Sequence, residues 1–324
     1  MSKGPLLGVS GLEIAIGGRP SPLVAVKDIT LGLDTGECVC LVGESGCGKS
    51  LTALSLLGLL PSPPFCVKGS ITFQGRNLLD LTERDWRSIR GREIAMIFQE
   101  PMTALNPVFT VGAQIEEAIT THKKVSSQEV KRRVEALLAQ VGIPDPEIRL
   151  RQYPHELSGG LRQRVMIAMA LACGPRILLA DEPTTALDVS IQAQILDLLH
   201  TLRAERGLGL LFITHNLGVV ARIADRVLIM YAGRIVEEAP VRDLFAQPLH
   251  PYTQGLLASL PPTSGRKHGR LTPIPGAVPS LGEIPGGCAF HPRCPQAIQA
   301  CSHIIPSQTS LGPGRKVACH LYPA

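Results

Sequence analysis

The stretch Gly43-Glu44-Ser45-Gly46-Cys47-Gly48-Lys49-Ser50 fits the phosphate-binding loop pattern G-x-x-x-x-G-K-[ST]. The apolar run Cys38 to Val42 before it predicts a buried parallel strand, and Leu51 to Leu60 after it predicts a helix. Because the loop would open a helix N-terminus, its backbone N–H groups and the positive end of the helix dipole would face an anion. The segment therefore predicts a nucleoside triphosphate site. A chance glycine-rich turn is the alternative.

The residue types within this loop predict separate contacts with the nucleotide. The backbone of residues 43–48 and the start of the helix at Leu51 would surround the phosphates. Lys49 would reach the β- and γ-phosphates, and the Ser50 hydroxyl would bind Mg²⁺. These contacts predict ATP and Mg²⁺ as cofactors.

A second apolar run, residues 176–180, ends in the carboxylates Asp181 and Glu182. Ligands of open α/β sheets bind at the carboxyl ends of the strands. Asp181 is therefore predicted to hold Mg²⁺ through water, and Glu182 to deprotonate an attacking water. An exposed acidic turn is the alternative. A third apolar run, residues 210–214, precedes His215, where only the strand-end position favours catalysis over a structural role.

The run Leu157-Ser158-Gly159-Gly160-Leu161-Arg162-Gln163-Arg164 resembles the signature of ABC-transporter ATPases, and Gln99, Asp188 and His215 occur in the order expected of that family. The resemblance implies an α/β P-loop NTPase fold of the RecA-like type. This ABC nucleotide-binding domain would have an antiparallel β subdomain and a helical subdomain. Ser158 is predicted to cap the next helix, which would leave the N–H groups of Gly159 and Gly160 open to an anion.

The same resemblance implies how the nucleotide is shared between subunits. Two ATPase subunits, identical or homologous, would pack head to tail, with ATP between one phosphate loop and the other signature. Contacts to nucleotide would then fall on Ser158, Gly159, Gly160, Gln163 and Asp188. Gln99 would bind Mg²⁺ and, with Glu182 and His215, take part in catalysis.

Charge and composition divide the chain near residue 249. From His250 onward, six Lys and Arg residues face one acid, Glu283, so this tail carries the whole net charge of +5. Its Pro and Gly content predicts irregular structure. We expect an ATPase domain at residues 1–249, with a helical subdomain at about 101–172, and a separate Cys-containing module at 250–324.

Two local patterns predict secondary structure in the ATPase domain. Ser126 and Glu129 predict a capping box, followed by an amphipathic helix that stops at Gly142. Residues 12–33 alternate between apolar and polar side chains, which predicts antiparallel strands.

Three stretches resemble the dipeptide and oligopeptide importer ATPases, a group that also includes nickel importers: Phe98–Pro107, Asp181–Asp188 and His250–Thr253. The resemblance implies ATP-driven uptake of di- or oligopeptides. Expected partners are a second ATPase subunit, two transmembrane permease subunits and an extracytoplasmic solute-binding protein. A nickel or metal-chelate importer is the near alternative. A soluble ABC-type ATPase acting on nucleic acid is another, although we expect no nucleic-acid partner.

The apolar runs of this chain bear on where it would act. None approaches the roughly 20 residues that span a bilayer, and the first residues lack a signal-peptide core. We therefore expect a peripheral protein at the cytoplasmic face of the inner membrane. One family feature is missing, because no aromatic residue precedes Phe65 to stack on adenine. An apolar residue near Leu23 or Val24 would have to replace it.

Four cysteines lie in the tail: Cys288, Cys294, Cys301 and Cys319. The segment around them resembles the C-terminal module of the same importers, some of which carry a [4Fe-4S] cluster. Four thiolates suit a cluster or zinc, and free thiols are the third alternative. Arg293 and Lys316 are expected to offset the charge of a cluster. Of the other cysteines, Cys38, Cys40, Cys66 and Cys173 are predicted to be core residues.

Overall fold

The computed structural model describes residues 4–17, 22–185, 187–260 and 273–322, without the side chains of residues 101 and 102. The strands of these ranges are β1 (Leu7–Ile16), β2 (Leu23–Leu33), β3 (Cys38–Val42), β4 (Phe65–Phe73), β5 (Arg76–Asn77), β6 (Ile94–Ile97), β7 (Ile177–Asp181), β8 (Gly209–Thr214), β9 (Arg226–Tyr231), β10 (Arg234–Pro240), β11 (Thr309–Gly312) and β12 (Arg315–Val317).

The helices of the same ranges are α1 (Lys49–Leu56), α2 (Glu83–Ile89), α3 (Pro101–Ala104), α4 (Val111–Thr120), α5 (Ser127–Gln140), α6 (Pro146–Arg149), α7 (Gly159–Leu171), α8 (Val189–Arg206), α9 (Leu217–Ile223), α10 (Val241–Ala246) and α11 (Pro251–Ala258). Within these described ranges, no helix combines the length and the apolar character needed to cross a membrane.

The described residues within 1–32, 38–79 and 213–324 form one compact unit, here called unit 1. One sheet has the strand order β2-β1-β4-β5, and β1 runs antiparallel to β4, which confirms the strands predicted from alternation. Further strands follow the order β11-β12-β10-β9-β3. All five residues of β3 are buried, and β3 pairs in parallel with β9, as the apolar run before the phosphate loop predicts.

The tail is part of unit 1 and extends its sheet. Strand β12 pairs antiparallel with β10, at Glu237 opposite Val317, and β11 pairs with β12. Helix α11 precedes this hairpin, and residues 273–308 form turns and short 3₁₀ helices. The irregular structure expected for the tail therefore holds only for its middle. The boundary that we expect after residue 249 lies within unit 1, so the tail and the phosphate loop share one compact unit.

A buried carboxylate binds the backbone at the point where the tail begins. Glu237 on β10 is fully buried, and its two oxygens each accept a backbone N–H at 2.9 Å, one from Leu249 and one from His250. The His250 ring, also buried, caps helix α11 because its Nδ1 accepts the N–H of Tyr252 at 3.0 Å. A charged acceptor that satisfies two backbone donors fixes where the tail departs from the sheet.

Residues 33–37 and 80–212 form unit 2. Its strands follow the order β8-β7-β6, and β6 and β7 are parallel. Helices α3 to α7 occupy the segment 101–172, which confirms its helical prediction. Ser126 caps α5 by accepting the N–H of Glu129, and Gly142 follows the helix at a φ of +73°. The capping box is not completed, because the Glu129 carboxylate pairs with Arg132 and Arg133 instead.

Burial of His250 leads to a prediction about pH. Burial lowers the pKa of this ring to about 4, whereas an exposed imidazole titrates near 6.5. The unfolded chain therefore takes up a proton below pH 6.5 that the folded protein takes up only near pH 4. The neutral ring contributes stability above pH 6.5, and this stability is lost as the pH falls toward 4.

We expect the free energy of unfolding of the wild type to fall by up to about 3 kcal/mol more than that of His250→Asn between pH 7 and pH 4. Asparagine keeps an acceptor at the helix N-cap and does not titrate, which makes it the matched variant. Denaturant titrations at fixed pH values measure the difference. Parallel pH profiles for the two proteins would contradict this role of His250.

Candidate nucleotide site

The phosphate loop joins the buried end of β3 to the start of α1 in unit 1. A Cβ added at Gly43 would lie 2.2 Å from the Met230 carbonyl oxygen and 2.7 Å from the Cys47 sulfur. Gly48 precedes α1 with a φ of +106°, a backbone conformation that favours glycine. The loop therefore passes too close to β9 for side chains at these positions. Its backbone N–H groups remain as the groups that can contact a phosphate.

Lys49 begins α1 and folds back over the loop that precedes it. Its buried ammonium donates to the carbonyl oxygens of Gly43 at 2.8 Å and Glu44 at 3.0 Å. The thiol of Cys47 is also buried, 3.8 Å from the same nitrogen, and burial raises its pKa. Cys47 thus packs inside the loop as a neutral thiol. Of the remaining loop positions, Glu44 and Ser50 are half-buried, Ser45 and Gly46 are exposed, and Leu51 is half-buried on α1.

The two predicted carboxylates lie at the end of β7 in unit 2. Asp181 is buried as the last residue of the strand. Glu182 follows at a φ of +45°, a left-handed conformation that costs a residue with a side chain about 1–3 kcal/mol. Its Oε2 accepts a hydrogen bond from the Thr185 hydroxyl at 2.9 Å and a longer one from the Gln99 amide at 3.4 Å. The structure therefore brings Gln99 and Glu182 together, and adds Thr185, which the motif analysis missed.

His215 lies directly after β8, in unit 1, and the next residue, Asn216, caps α9 by accepting the N–H groups of Gly218 and Val219. The strand-end position expected for His215 is thus observed. Leu23, at the start of β2, is 47% exposed and could contact a base, whereas Val24 is half-buried.

The signature segment forms the start of α7 in unit 2. The Ser158 hydroxyl accepts the N–H of Leu161 at 3.4 Å, so the predicted cap is present. Gly159 is exposed and Gly160 is half-buried, and a Cβ at Gly160 would lie 2.9 Å from the Ile191 side chain, so the packing there favours glycine. Gln163, in contrast, is buried.

Asp188 does not belong to α7, and its side chain binds a residue close to it in the sequence. Its side chain caps α8 by accepting the N–H of Ile191 at 2.8 Å. The preceding Ala186 lies outside the described residues. Asp188 therefore has a structural role beside the nucleotide contact implied for it.

None of the four tail cysteines forms a disulfide; Cys301 and Cys319 are buried, and Cys288 and Cys294 are half-buried. Burial, together with a smaller effect of negative charge on the other three cysteines, raises the pKa of Cys288 to about 11. The four thiols therefore lie within electrostatic range of one another. Among the described residues, no group of three or more His, Cys, Asp or Glu side chains could hold a single metal ion.

The structure revises two other predictions, one about the cations of the tail and one about the burial of Cys66. Arg293 pairs with Glu44 at 2.9 Å and Lys316 pairs with Glu238 at 3.1 Å, so both cations expected to offset a cluster have glutamate partners. Cys66 is exposed near the start of β4, so the prediction that it belongs to the core is wrong. Cys38, Cys40 and Cys173 are buried as predicted.

Two protein families match the chain in separate segments. The ABC transporter family matches residues 26–185, which include the phosphate loop, the signature and both carboxylates. The family described as oligopeptide/dipeptide transporter, C-terminal region, matches residues 236–301, which include most of β10, all of α11 and three of the four tail cysteines.

Individual proteins match over nearly the whole chain. The oligopeptide transport ATP-binding protein AppD of Bacillus subtilis is 49% identical over 98% of this chain and 97% of its own length. The dipeptide transport ATP-binding protein DppD of the same organism is 48% identical over 98% of this chain and 94% of its length.

A solved structure shares the fold. The dimeric, post-hydrolysis structure of the ATP-binding cassette MJ0796 bound to ADP and Pi is 28% identical, with a TM-score of 0.65, over 73% of this chain and 99% of that one. Together with the loop, the strand-end carboxylates and the capped signature helix, these matches show that the chain belongs to the ABC transporter family, as an ATP-binding protein with an ABC ATPase domain.

Proposed function

We propose that this chain is the ATP-hydrolysing subunit of an importer that takes up di- or oligopeptides across the cytoplasmic membrane. The observation that carries the proposal is one chain that matches both the ABC transporter family and the oligopeptide/dipeptide transporter C-terminal region. The names of AppD and DppD support a peptide over nickel as the solute. The subunit would act at the cytoplasmic face of the membrane, attached through its partners.

The proposed partners are two permease subunits, a second ATPase subunit and an extracytoplasmic solute-binding protein. The dimeric cassette structure supports the second ATPase. The start of α7 supports it as well, because a helix N-terminus with an exposed glycine behind its capping serine suits an anion from outside the chain.

Each group of residues in the proposed ATP site has a separate role. The loop glycines and Lys49 would hold the phosphates, and Leu51 would lie beside them on α1. Ser50, Gln99 and Asp181 would bind Mg²⁺, and Mg²⁺ would neutralise charge on the phosphates. Glu182 would take the proton of the attacking water, and His215 would lie beside the γ-phosphate. The hydrogen bonds from Thr185 and Gln99 would orient the Glu182 carboxylate.

The first test of this site removes the proposed general base. Glu182→Gln should still bind Mg-ATP, because the amide has the same shape, while turnover in the assembled complex falls at least ~10²-fold. Glu205→Gln makes the same chemical change on an exposed turn of α8 and should hydrolyse normally. Turnover by Glu182→Gln close to that of the control would remove Glu182 from this role.

The second test addresses the shared site. Ser158→Arg should leave Mg-ATP binding by the isolated chain intact and abolish hydrolysis in the opposing site of the complex. Ser126→Arg removes a helix N-cap on α5 and serves as the control for the loss of a cap, worth about 1 kcal/mol. If both variants hydrolyse ATP equally well in the complex, or if isolated monomers match its rate, the proposed pairing of subunits fails.

We also propose that the four tail cysteines bind a [4Fe-4S] cluster. The four thiols lie near enough for the charge on one to affect the others, which supports the proposal. Each thiolate of such a cluster binds a different iron, so the four sulfurs lie farther apart than the ligands of one ion. Zinc has less support, because the described residues include no group of three or more His, Cys, Asp or Glu side chains that could hold a single metal ion. The cluster would supply folding energy to a segment made largely of turns.

The third test is analytical. Protein purified without oxygen should be brown and contain roughly four iron and four sulfide per chain. Cys301→Ser should lose both and make the tail sensitive to protease, whereas Cys173→Ser, at a buried cysteine of unit 2, should keep both. One zinc and no iron, or no metal in anaerobic material, would rule the cluster out.

A further inference from the structure

The second residue of the phosphate loop is bound by the tail through its side chain. Arg293 Nη1 lies 2.9 Å from Glu44 Oε2 and Arg293 Nη2 lies 3.1 Å from Glu44 Oε1, a bidentate pair between residues 249 positions apart in the sequence. The Arg293 side chain is 6% exposed and that of Glu44 29%. Paired guanidinium and carboxylate groups in this geometry are stronger and more directional than single ion contacts.

The Arg293 guanidinium has further partners besides Glu44. Its Nε donates to the Pro275 carbonyl at 2.9 Å, and Nη1 makes a longer hydrogen bond of 3.4 Å to the Tyr231 hydroxyl. The rings of Tyr231 and Phe290 lie within 6 Å of the guanidinium carbon. Burial by itself would lower the pKa of Arg293, but the hydrogen bonds to Glu44 and Tyr231 raise it above its ordinary value. The arginine is therefore a fixed positive charge.

The backbone of the same loop residue is bound by the tail as well. The Glu44 N–H donates to the hydroxyl of Tyr252 at 3.0 Å. Tyr252 is fully buried, and its ring packs against Tyr231 and Phe290 at centroid distances of 4.7 and 5.3 Å. Side chain and amide of Glu44 are thus both held by residues that belong to one aromatic cluster in unit 1.

These contacts bear on how the loop takes up phosphate. The peptide whose N–H is bound by Tyr252 also carries the Gly43 carbonyl, which accepts a hydrogen bond from Lys49 at 2.8 Å, so the orientation of this peptide affects the ammonium that would meet the phosphates. A carboxylate in the loop would repel a triphosphate unless a positive charge offsets it, and a partly buried pair is weakly screened by salt.

We propose that Arg293 and Tyr252 are positioning residues for the nucleotide, and that the tail is part of the ATP site. Arg293 neutralises the charge of Glu44, and Tyr252 binds the Glu44 amide. The loop and Lys49 therefore already have the orientation that phosphate binding requires. The inference rests on the proposed nucleotide site. It differs from a purely structural ion pair, which would stabilise the tail and leave ATP affinity unchanged.

The test measures the dissociation constant of Mg-ATP by calorimetry on the full chain. Arg293→Gln leaves the Glu44 carboxylate without its cation and should weaken binding about tenfold or more. The double variant Glu44→Gln/Arg293→Gln removes both charges and should recover most of the lost affinity. Tyr252→Phe deletes only the acceptor of the Glu44 amide and should weaken binding about threefold.

Three controls separate the possible causes. Lys316→Gln removes the other paired cation of the tail, whose partner Glu238 lies outside the loop, and should leave the dissociation constant unchanged. Arg293→Lys keeps the charge without the bidentate geometry and should retain more affinity than Arg293→Gln, which covers the case in which the glutamine variant folds poorly. Lys49→Ala tests the nucleotide site itself.

The outcomes distinguish the two proposals. If the wild type binds no Mg-ATP, or Lys49→Ala binds it equally well, the nucleotide site is wrong. If Lys49→Ala loses affinity while Arg293→Gln binds like the wild type, only the positioning role fails. A double variant as weak as Arg293→Gln would also overturn the neutralisation of Glu44, since a structural loss is not recovered by removing a second charge.

Discussion

The close approach of the phosphate loop to β9 is the constraint on which much of unit 1 depends. Gly43 lies so near the Met230 carbonyl that a Cβ there would be 2.2 Å from its oxygen. The strand that supplies this carbonyl also pairs with β3 on one side and β10 on the other. The loop is therefore shaped by the same strand that connects the sheet to the tail. Such contact leaves backbone N–H groups, rather than side chains, to face an anion.

Buried charges at the junction with the tail have partners that are far away in sequence. Glu237 accepts the N–H groups of Leu249 and His250, and Arg293 reaches Glu44. Burying a charge is costly unless it is paired and hydrogen-bonded, so these contacts strongly restrict how the tail can pack. They also explain why the tail joins unit 1, although its composition suggests a separate module. A change in the tail can thus reach the phosphate loop through a few direct contacts.

A strained backbone conformation of unit 2 lies at the proposed catalytic carboxylate. Glu182 has a positive φ directly after a fully buried strand, and its side chain is held by Thr185 and Gln99. Strained backbone conformations persist where the surrounding structure determines them. Here the buried strand and two hydrogen bonds provide that support. Residues of unit 2 therefore fix the orientation of the Glu182 carboxylate.

The features that the sequence by itself determined are local. The phosphate loop, the strands that end in Asp181 and Thr214, and the helix caps at Ser126 and Ser158 depend on residues a few positions apart, and each is found where predicted. Only the tertiary structure decided the pairing of β12 with β10, the exposure of Cys66 and the contacts of Arg293 and Tyr252 with Glu44. These depend on segments up to 249 residues apart, and no short motif specifies which buried charge meets which partner.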